Sequence, residues 1–272
     1  MPYLEYDNQA SAWRDVVQRL HDEGVKTVSR GMETREFRDP TTLIIERPDA
    51  GFVDVVHGRK FRHAITAVEG LSLVGQCSVP ELLLDKVGAF APYANDGIFL
   101  GAYGPRVAGG LSRVVDALRD DPGSRQAVLS IYDSGRDLGR PGVRDVPCTI
   151  ALQYRVRGME LDAWTVMRSN DAWLGLPYDL GQFSLLQLAI ACALELDVGR
   201  YYHTVGSMHL YETDVPRVDE LGPSKLVGPV VHTWGGDTIE RISGRARRLL
   251  LGQLDKVDDP SQLELWLWMV TQ

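Results

Sequence analysis

The chain has 272 residues, of which 44% are hydrophobic and 24% are charged, so it is long enough for a substantial core. Its net charge of -8 repels duplex nucleic acid, although a few local arginines can still bind a small anion. No apolar run approaches the ~18–20 residues of a membrane helix, and the polar residues 1–14 do not resemble a signal peptide. We therefore expect a cytoplasmic protein that binds neither nucleic acid nor membranes.

The three cysteines, Cys77, Cys148 and Cys192, form neither a CxxC pair nor a cluster with histidines. This spacing argues against a zinc site and against a disulfide framework, and it suits a reducing compartment. We also find no internal repeat, low-complexity tract or linker. We therefore expect one catalytic domain over residues 1–272, with no metal.

Helices are predicted where apolar residues recur every three or four positions. Residues 13–20 follow this pattern up to Gly24, and residues 111–118 repeat it before a turn over 121–124. Residues 183–196 are apolar nearly all round, which predicts a helix buried in the centre of the domain.

Strands are predicted over residues 127–132, 149–156, 160–167 and 201–208, with a hairpin turn at Gly158. Helices mixed with hairpin-connected strands indicate an α+β fold. We expect a large, mostly antiparallel mixed sheet around the buried helix.

Cys148 is the first candidate for chemistry. A single cysteine is usually a small buried hydrophobic residue, which is the interpretation we give Cys77 and Cys192. Cys148 differs because it follows a loop rich in Gly, Arg and Pro and begins a strand. There a thiol faces a cleft, and cationic neighbours favour the thiolate.

A second candidate follows the strand that ends at residue 167. Arg168 and Ser169 are suited to binding a phosphate through charge-assisted hydrogen bonds. Asp171 and Asp179 flank an aromatic, apolar loop that is suited to flat rings. Asp179 has an alternative role as a helix cap, which the isolated motif favours.

His209 and Tyr211 form a third candidate. Their alternate spacing after a strand directs both side chains to one face, where they suit a sugar hydroxyl. The alternative is a histidine and a tyrosine buried in the core.

In order and spacing, these signals resemble the thymidylate synthase superfamily. That family carries a Pro-Cys nucleophile, Arg-Ser-x-Asp, Leu-Gly-x-Pro with a polar residue two positions on, a hydrophobic helix, and His-x-Tyr. The matching residues are Pro147-Cys148, Arg168-Ser169-Asn170-Asp171, Leu174-Gly175-Leu176-Pro177 with Asp179, and His209-Leu210-Tyr211.

Four upstream positions extend the resemblance. Arg30 matches a phosphate-binding arginine, and Arg125 matches an arginine that reaches into the partner subunit's active site. Glu69 matches the glutamate that orders catalytic water, and Tyr103 matches a tyrosine near the reacting carbon, although a surface carboxylate and a core tyrosine are alternatives.

The resemblance implies a role for each residue. Cys148 is the nucleophile, with Glu69 and Tyr103 managing protons and water. The phosphate is held by Arg30, Arg168, Ser169 and the partner's Arg125, the sugar by His209 and Tyr211, the base by Asp179 and the folate by Asp171. It also implies a homodimer and 5,10-methylenetetrahydrofolate as co-substrate.

Departures from the family pattern favour one branch. Thymidylate synthases usually have Asn where this chain has Asp179, and His where it has Thr149. A carboxylate accepts from the amino group of cytosine and favours its protonated ring nitrogen. In both departures the chain resembles the family's phage deoxycytidylate hydroxymethylases. Gln126 also replaces a second arginine of the phosphate clamp.

Two further departures concern the closing of the site. Residues 263–272 do not resemble the family's closing tail, and no tryptophan is evident over residues 93–100. Both features favour entry of water over hydride transfer. We therefore expect a hydroxymethylase acting on CMP or dCMP. The alternatives are a thymidylate synthase acting on dUMP and an inactive nucleotide- or RNA-binding relative.

Overall fold

A computed structural model describes residues 3–227 and 237–253. The strands are β1 (Tyr3–Tyr6), β2 (Val25–Ser29), β3 (Met32–Glu36), β4 (Thr41–Ile45), β5 (Phe52–Val55), β6 (Val128–Ser130), β7 (Thr149–Arg157), β8 (Glu160–Met167), β9 (Asn170–Asp171), β10 (Asp197–Val205), β11 (Met208–Tyr211) and β12 (Ser224–Val227). The helices are α1 (Gln9–Glu23), α2 (His63–Val74), α3 (Pro80–Lys86), α4 (Tyr103–Arg106), α5 (Gly110–Asp120), α6 (Ser134–Asp137), α7 (Leu176–Leu194), α8 (Val215–Val218) and α9 (Ile239–Leu250), with a 3-10 helix over Gly88–Tyr93.

The main sheet has six strands in the order β1-β4-β10-β8-β7-β6. β1 runs parallel to β4 and β10 runs parallel to β8, whereas the other three pairings are antiparallel. The predicted α+β fold with a mostly antiparallel mixed sheet is therefore confirmed.

Helix α7 is the predicted buried helix, and nearly all of its residues are buried. It packs against α2, α1, β8 and β10, so an apolar surface on every side is what its surroundings require. The helix begins at Leu176 rather than at the predicted residue 183, because Pro177 occupies its first turn, where proline is tolerated. Asp179 therefore lies inside the helix.

A smaller sheet, in the order β2-β3-β11-β9, lies beside the main one. The strand predicted over residues 201–208 is in fact divided: β10 ends at Val205 and β11 begins at Met208 in the other sheet. The intervening Gly206 approaches the backbone of Arg168, where a Cβ atom would lie 3.0 Å from the Arg168 carbonyl oxygen. The break brings the start of β11 beside β9.

The other helices and strands predicted from the sequence differ from the observed elements only in where they begin and end. Helices α1 and α5 and the β7–β8 hairpin are confirmed, with Gly158 at a positive φ of 64° in the turn. The strand predicted over residues 127–132 is shorter, as β6. Over residues 3–227 and 237–253, no helix combines the length and apolar character needed to cross a membrane.

Candidate active site

A cavity of about 430 Å³ opens between α2, α7 and the ends of β7, β9 and β11. Ten of the eleven site residues predicted from the sequence line it. They are Arg30, Glu69, Tyr103, Cys148, Arg168, Ser169, Asp171, Asp179, His209 and Tyr211. The exception is Arg125, which is exposed on the surface and does not line the cavity.

Cys148 lies immediately before β7, and Arg168 holds the adjacent loop. The Arg168 guanidinium donates from Nε to the Pro147 carbonyl at 2.9 Å and from Nη2 to the Val146 carbonyl at 3.2 Å. Burial raises the pKa of the Cys148 thiol, and the positive charges of Arg168 and Arg30 oppose this rise. The expected cationic neighbours are present, but burial outweighs them, so the resting thiol is protonated.

Arg30 occupies the tip of the β2–β3 hairpin. Arg30 and Gly31 form its two-residue loop, with positive φ angles of 51° and 78°. A positive φ at both positions gives the turn that best matches the twist of the strands, although it is unfavourable for a non-glycine residue. The hairpin holds an exposed arginine at the same rim of the cavity as Ser169.

Asp179 does not cap α7, so the cap interpretation is wrong. The first position of the helix follows Gly175, whereas Asp179 is 8% exposed and its carboxylate binds side chains. Asn170 Nδ2 donates to Asp179 Oδ2 and Gln182 Nε2 donates to Asp179 Oδ1, both at 2.7 Å. Burial raises the pKa of Asp179 to about 7, against the lowering effect of the two donors.

Glu69 and Tyr103 contribute the other groups near Cys148. Burial, together with the charge of Asp179, raises the pKa of Glu69 to about 8, which suits a group that exchanges protons near neutral pH. Burial also raises the pKa of Tyr103 well above 10. The Tyr103 ring stacks on Phe183 of α7 at 6.1 Å between centroids, so it presents a neutral phenol in a fixed position.

Asp171 lies at the end of β9, and its Oδ1 accepts from the backbone N–H groups of Trp173 and Leu174 at 2.8 and 3.0 Å. These bonds shape the loop that leads into α7. Burial raises the pKa of Asp171.

His209 and Tyr211 project from the same face of β11, as predicted, and both line the cavity. Their rings meet edge to face at 5.2 Å between centroids. In the antiparallel pairing with β3, Glu36 lies opposite His209 and Thr34 lies opposite Tyr211. The core alternative for these two residues is wrong, because both are partly exposed towards the cavity.

One part of the cavity wall is aromatic and, among the described residues, contains no tryptophan. Phe90, Tyr93 and Phe99 line it, and the rings of Phe90 and Phe99 are 6.5 Å apart. The absence of tryptophan over residues 93–100 stands, and other aromatic side chains occupy this wall. Residues 263–272, in which the closing tail was sought, lie outside the described residues.

Sequence reasoning missed the polar residues behind Asp179. Gln182 lies one turn further along α7, and His203 and Tyr201 lie on the inward face of β10. Two signals were available: buried glutamines in a largely apolar helix, and a histidine and a tyrosine at alternate positions of a buried strand.

Comparison with known proteins agrees with this architecture. Residues 14–223 match a family model described as thymidylate synthase. The chain is 29% identical over 219 residues to the deoxyuridylate hydroxymethyltransferase of Bacillus phage SP01, covering 74% of this chain and 57% of the relative. It is 28% identical over 229 residues to the deoxyuridylate hydroxymethyltransferase of Pseudomonas phage M6, covering 81% and 65%.

A thymidylate synthase from Listeria monocytogenes is 31% identical over 110 residues, which is 40% of this chain and 34% of the relative. The chain thus matches between one half and two thirds of the length of the phage relatives. The fold is a mixed sheet packed against a buried helix, with the Cys148 thiol in the lining of its cavity. The chain belongs to the thymidylate synthase family.

Proposed function

We propose that this protein is a folate-dependent one-carbon transferase that hydroxymethylates carbon 5 of a cytosine nucleotide, CMP or dCMP. Membership of the thymidylate synthase family and the names of the two phage relatives support the reaction class. The base assignment is our own step, because both phage relatives are named for deoxyuridylate.

The observation that carries the base assignment is the carboxyl group of Asp179. It lies buried in the cavity and accepts one N–H from Asn170 and one from Gln182. Cytosine presents an amino donor and a ring nitrogen acceptor, so one proton shared between Asp179 and that ring nitrogen satisfies both groups. Since the pKa of Asp179 is about 7, the free protein carries this proton at neutral and lower pH.

The other cavity residues take roles that follow from their positions. Cys148 adds to carbon 6 of the ring, which makes carbon 5 nucleophilic. Glu69 orders the attacking water and exchanges protons near neutral pH, and Tyr103 presents a neutral hydroxyl in the same cavity. Arg30, Arg168 and Ser169 bind the phosphate, and His209 and Tyr211 bind the sugar.

The co-substrate in this proposal is 5,10-methylenetetrahydrofolate, which supplies the one-carbon unit. The flat rings of a folate fit against the aromatic wall of Phe90, Tyr93 and Phe99, and Asp171 offers a carboxyl group within the same cavity. The volume of about 430 Å³ lies in the usual range of ligand cavities.

The second candidate is a reaction on deoxyuridylate, either hydroxymethylation or methylation as in a thymidylate synthase. The names of the relatives favour this substrate. A protonated Asp179 also pairs with uracil, donating its O–H to the 4-oxygen and accepting from the ring N–H.

We further propose that the protein is a homodimer joined through the outer face of the six-stranded sheet. Val128, Gln153, Trp164 and Tyr202 form one row across that face, and Val128 and Trp164 are 44% and 45% exposed. The Arg125 carbonyl accepts from Gln153 Nε2 at 3.2 Å, so Arg125 lies at the edge of this face. In a dimer through this face, Arg125 is available to the partner's cavity and not to its own.

Residues 1–272 are proposed as one catalytic domain that acts in a reducing cytoplasm. One continuous hydrophobic core runs through the described residues, and the thiols of Cys77 and Cys148 form no disulfide.

Mass spectrometry of the products from CMP, dCMP, UMP and dUMP with 5,10-methylenetetrahydrofolate tests the proposal. We expect a 5-hydroxymethyl product from a cytosine nucleotide at a higher rate than from either uracil nucleotide. A product from the uracil nucleotides alone would establish the second candidate instead. A methyl product would contradict hydration.

A further inference from the structure

A chain of hydrogen bonds runs from the inward face of β10 to the carboxyl group of Asp179. Tyr201 and His203 occupy alternate positions of this strand, so both face α7, and both are 0% exposed. The Tyr201 hydroxyl lies 2.8 Å from His203 Nδ1, and His203 Nε2 lies 2.9 Å from Asn170 Oδ1. Asn170 Nδ2 completes the chain at 2.7 Å from Asp179 Oδ2.

One tautomer of His203 gives every hydrogen bond of this chain a donor and an acceptor. Burial lowers the pKa of His203 to about 3, so the ring is neutral and carries one N–H. If that N–H is on Nε2, it donates to Asn170 Oδ1, and Nδ1 accepts from the Tyr201 hydroxyl. The Asn170 amide is then oriented with its NH₂ group towards Asp179.

We propose that Tyr201 and His203 are positioning residues: they orient the Asn170 amide as one of the two N–H donors to Asp179, which sets the preference for cytosine over uracil. This rests on the proposed function, in which Asp179 contacts the base. Neither Tyr201 nor His203 lines the cavity, so they act on the base only through Asn170 and Asp179.

The protonation state of Asp179 decides which base it accepts. A protonated carboxyl group can pair with uracil as well as with cytosine, because its O–H donates to the 4-oxygen of uracil. A carboxylate has only acceptors, so it repels that oxygen. With cytosine, the proton moves from Asp179 to the ring nitrogen, and the amino group donates to the second carboxylate oxygen. The two protein N–H donors favour this ionised state.

Close packing against Gly175 fixes the positions of the Asn170 and Asp179 side chains. A Cβ atom at Gly175 would lie 2.8 Å from Asn170 Nδ2 and 3.3 Å from Asp179 Oδ2, so the amide and carboxyl groups leave room only for glycine. Asp179 is also surrounded by other titratable groups, and a pH measurement must account for them. They are Glu69, Tyr103, Cys148, Asp171 and Tyr201.

Four variants test the role of the hydrogen-bond chain. His203→Leu removes the donor to Asn170, whereas His203→Gln retains an N–H near the position of Nε2. Tyr201→Phe removes one hydroxyl with little change of shape, and its matched control is Tyr154→Phe. Tyr154 is a buried tyrosine on the same sheet face, two strands away, beyond Ala163.

We expect the ratio of kcat/KM for cytidylate to kcat/KM for uridylate to fall about tenfold in His203→Leu, the equivalent of roughly 1.4 kcal/mol. Tyr201→Phe is expected to lower it about threefold, because the histidine then loses the hydroxyl that fixes its tautomer. His203→Gln and Tyr154→Phe should keep the wild-type ratio. Unchanged ratios in both Tyr201→Phe and His203→Leu would overturn the proposal.

A titration of Asp179 provides a test that does not need turnover. The protein is labelled with [4-¹³C]aspartate, and the Asp179 signal is identified by its absence from Asp179→Asn. We expect the Asp179 pKa to be higher in Tyr201→Phe than in the wild type and unchanged in Tyr154→Phe. An equal pKa in Tyr201→Phe and the wild type would overturn the chain of hydrogen bonds. A wild type that prefers uridylate would overturn the proposed function but leave this titration valid.

Discussion

At the proposed base end of the cavity, the two side chains that donate to Asp179 are buried, whereas at the proposed phosphate end the arginines lie on loops. Asp179, in the first turn of α7, accepts from Asn170 and Gln182 in the interior. Arg30, by contrast, extends from an exposed hairpin tip, and Arg125 does not reach the cavity of its own chain.

The difference indicates how each end works. A base edge is recognised by the direction of a few hydrogen bonds, which requires a fixed and desolvated arrangement. A phosphate is bound by charge, which tolerates exposed arginines and an arginine from a second subunit. Substitutions at the base end should therefore change which nucleotide reacts, and those at the phosphate end should change how tightly any nucleotide binds.

The largest effect is expected at Cys148, the proposed nucleophile, which is needed whichever nucleotide is bound. Cys148→Ala should lower turnover about a thousandfold or more, because the proposed covalent adduct needs a thiol at this position, yet leave nucleotide binding largely intact. Release of tritium from carbon 5 of labelled nucleotide measures the step. Cys77→Ala, the control, should keep most of the activity. Substantial tritium release by Cys148→Ala would end the covalent mechanism.

Substitutions of the two arginines at the proposed phosphate end should have different kinetic effects. Arg168→Ala should lower kcat/KM by about a hundredfold for cytidylate and uridylate alike, since Arg168 also holds the Val146 and Pro147 carbonyls beside Cys148. Arg30→Ala should raise KM about tenfold and leave kcat nearly unchanged. Steady-state kinetics on both nucleotides check this, and a change of base preference in either variant would contradict the division between the two ends.

The pH dependence of nucleotide binding should also come from the base end of the cavity and not from the phosphate end. The pKa of Asp179 is about 7, so its proton is present below pH 7 and lost above it. Because the cytosine complex needs that proton, the Kd for cytidylate should rise about tenfold per pH unit above the pKa. Calorimetry on Cys148→Ala measures Kd without turnover. The rise should disappear in the double variant with Asp179→Asn; if it persists there, it belongs to Glu69, whose pKa is about 8.

The smallest effect tests the subunit that supplies Arg125. At a nucleotide concentration too low for Arg125→Ala to turn over alone, mixing it with Cys148→Ala should recover about a quarter of wild-type activity, since half of randomly formed dimers have one intact site. Subunit exchange is verified with differently tagged chains. If exchange occurs without recovery, Arg125 does not act in the neighbouring subunit.

The sequence predicted the residues that touch the cavity better than the residues that hold them. Cys148, Asp171, Asp179 and His209 lie in short motifs whose order is visible along the chain. His203 is not in such a motif, because it meets Asn170 only where β10 and β9 come together, 33 positions apart in the chain. Local patterns carry no information about that contact.

The ends of the elements were predicted less well for a related reason. A strand over residues 201–208 reads as continuous, and only the approach of Gly206 to the Arg168 backbone reveals the change of sheet. The role of Asp179 shows the same limit. A carboxylate near the start of a helix suggests a cap, and only the three-dimensional contacts with Asn170 and Gln182 assign it to the cavity.

The central claim is that Asp179 reads the cytosine edge, and kcat/KM for cytidylate and uridylate, measured on the wild type and Asp179→Asn, tests it most directly. The substitution keeps the shape of the side chain, removes the charge and supplies an amide that pairs with uracil. We expect cytidylate turnover to fall by about ten- to a hundredfold and uridylate turnover to become measurable or rise. An unchanged ratio of the two kcat/KM values would contradict the account.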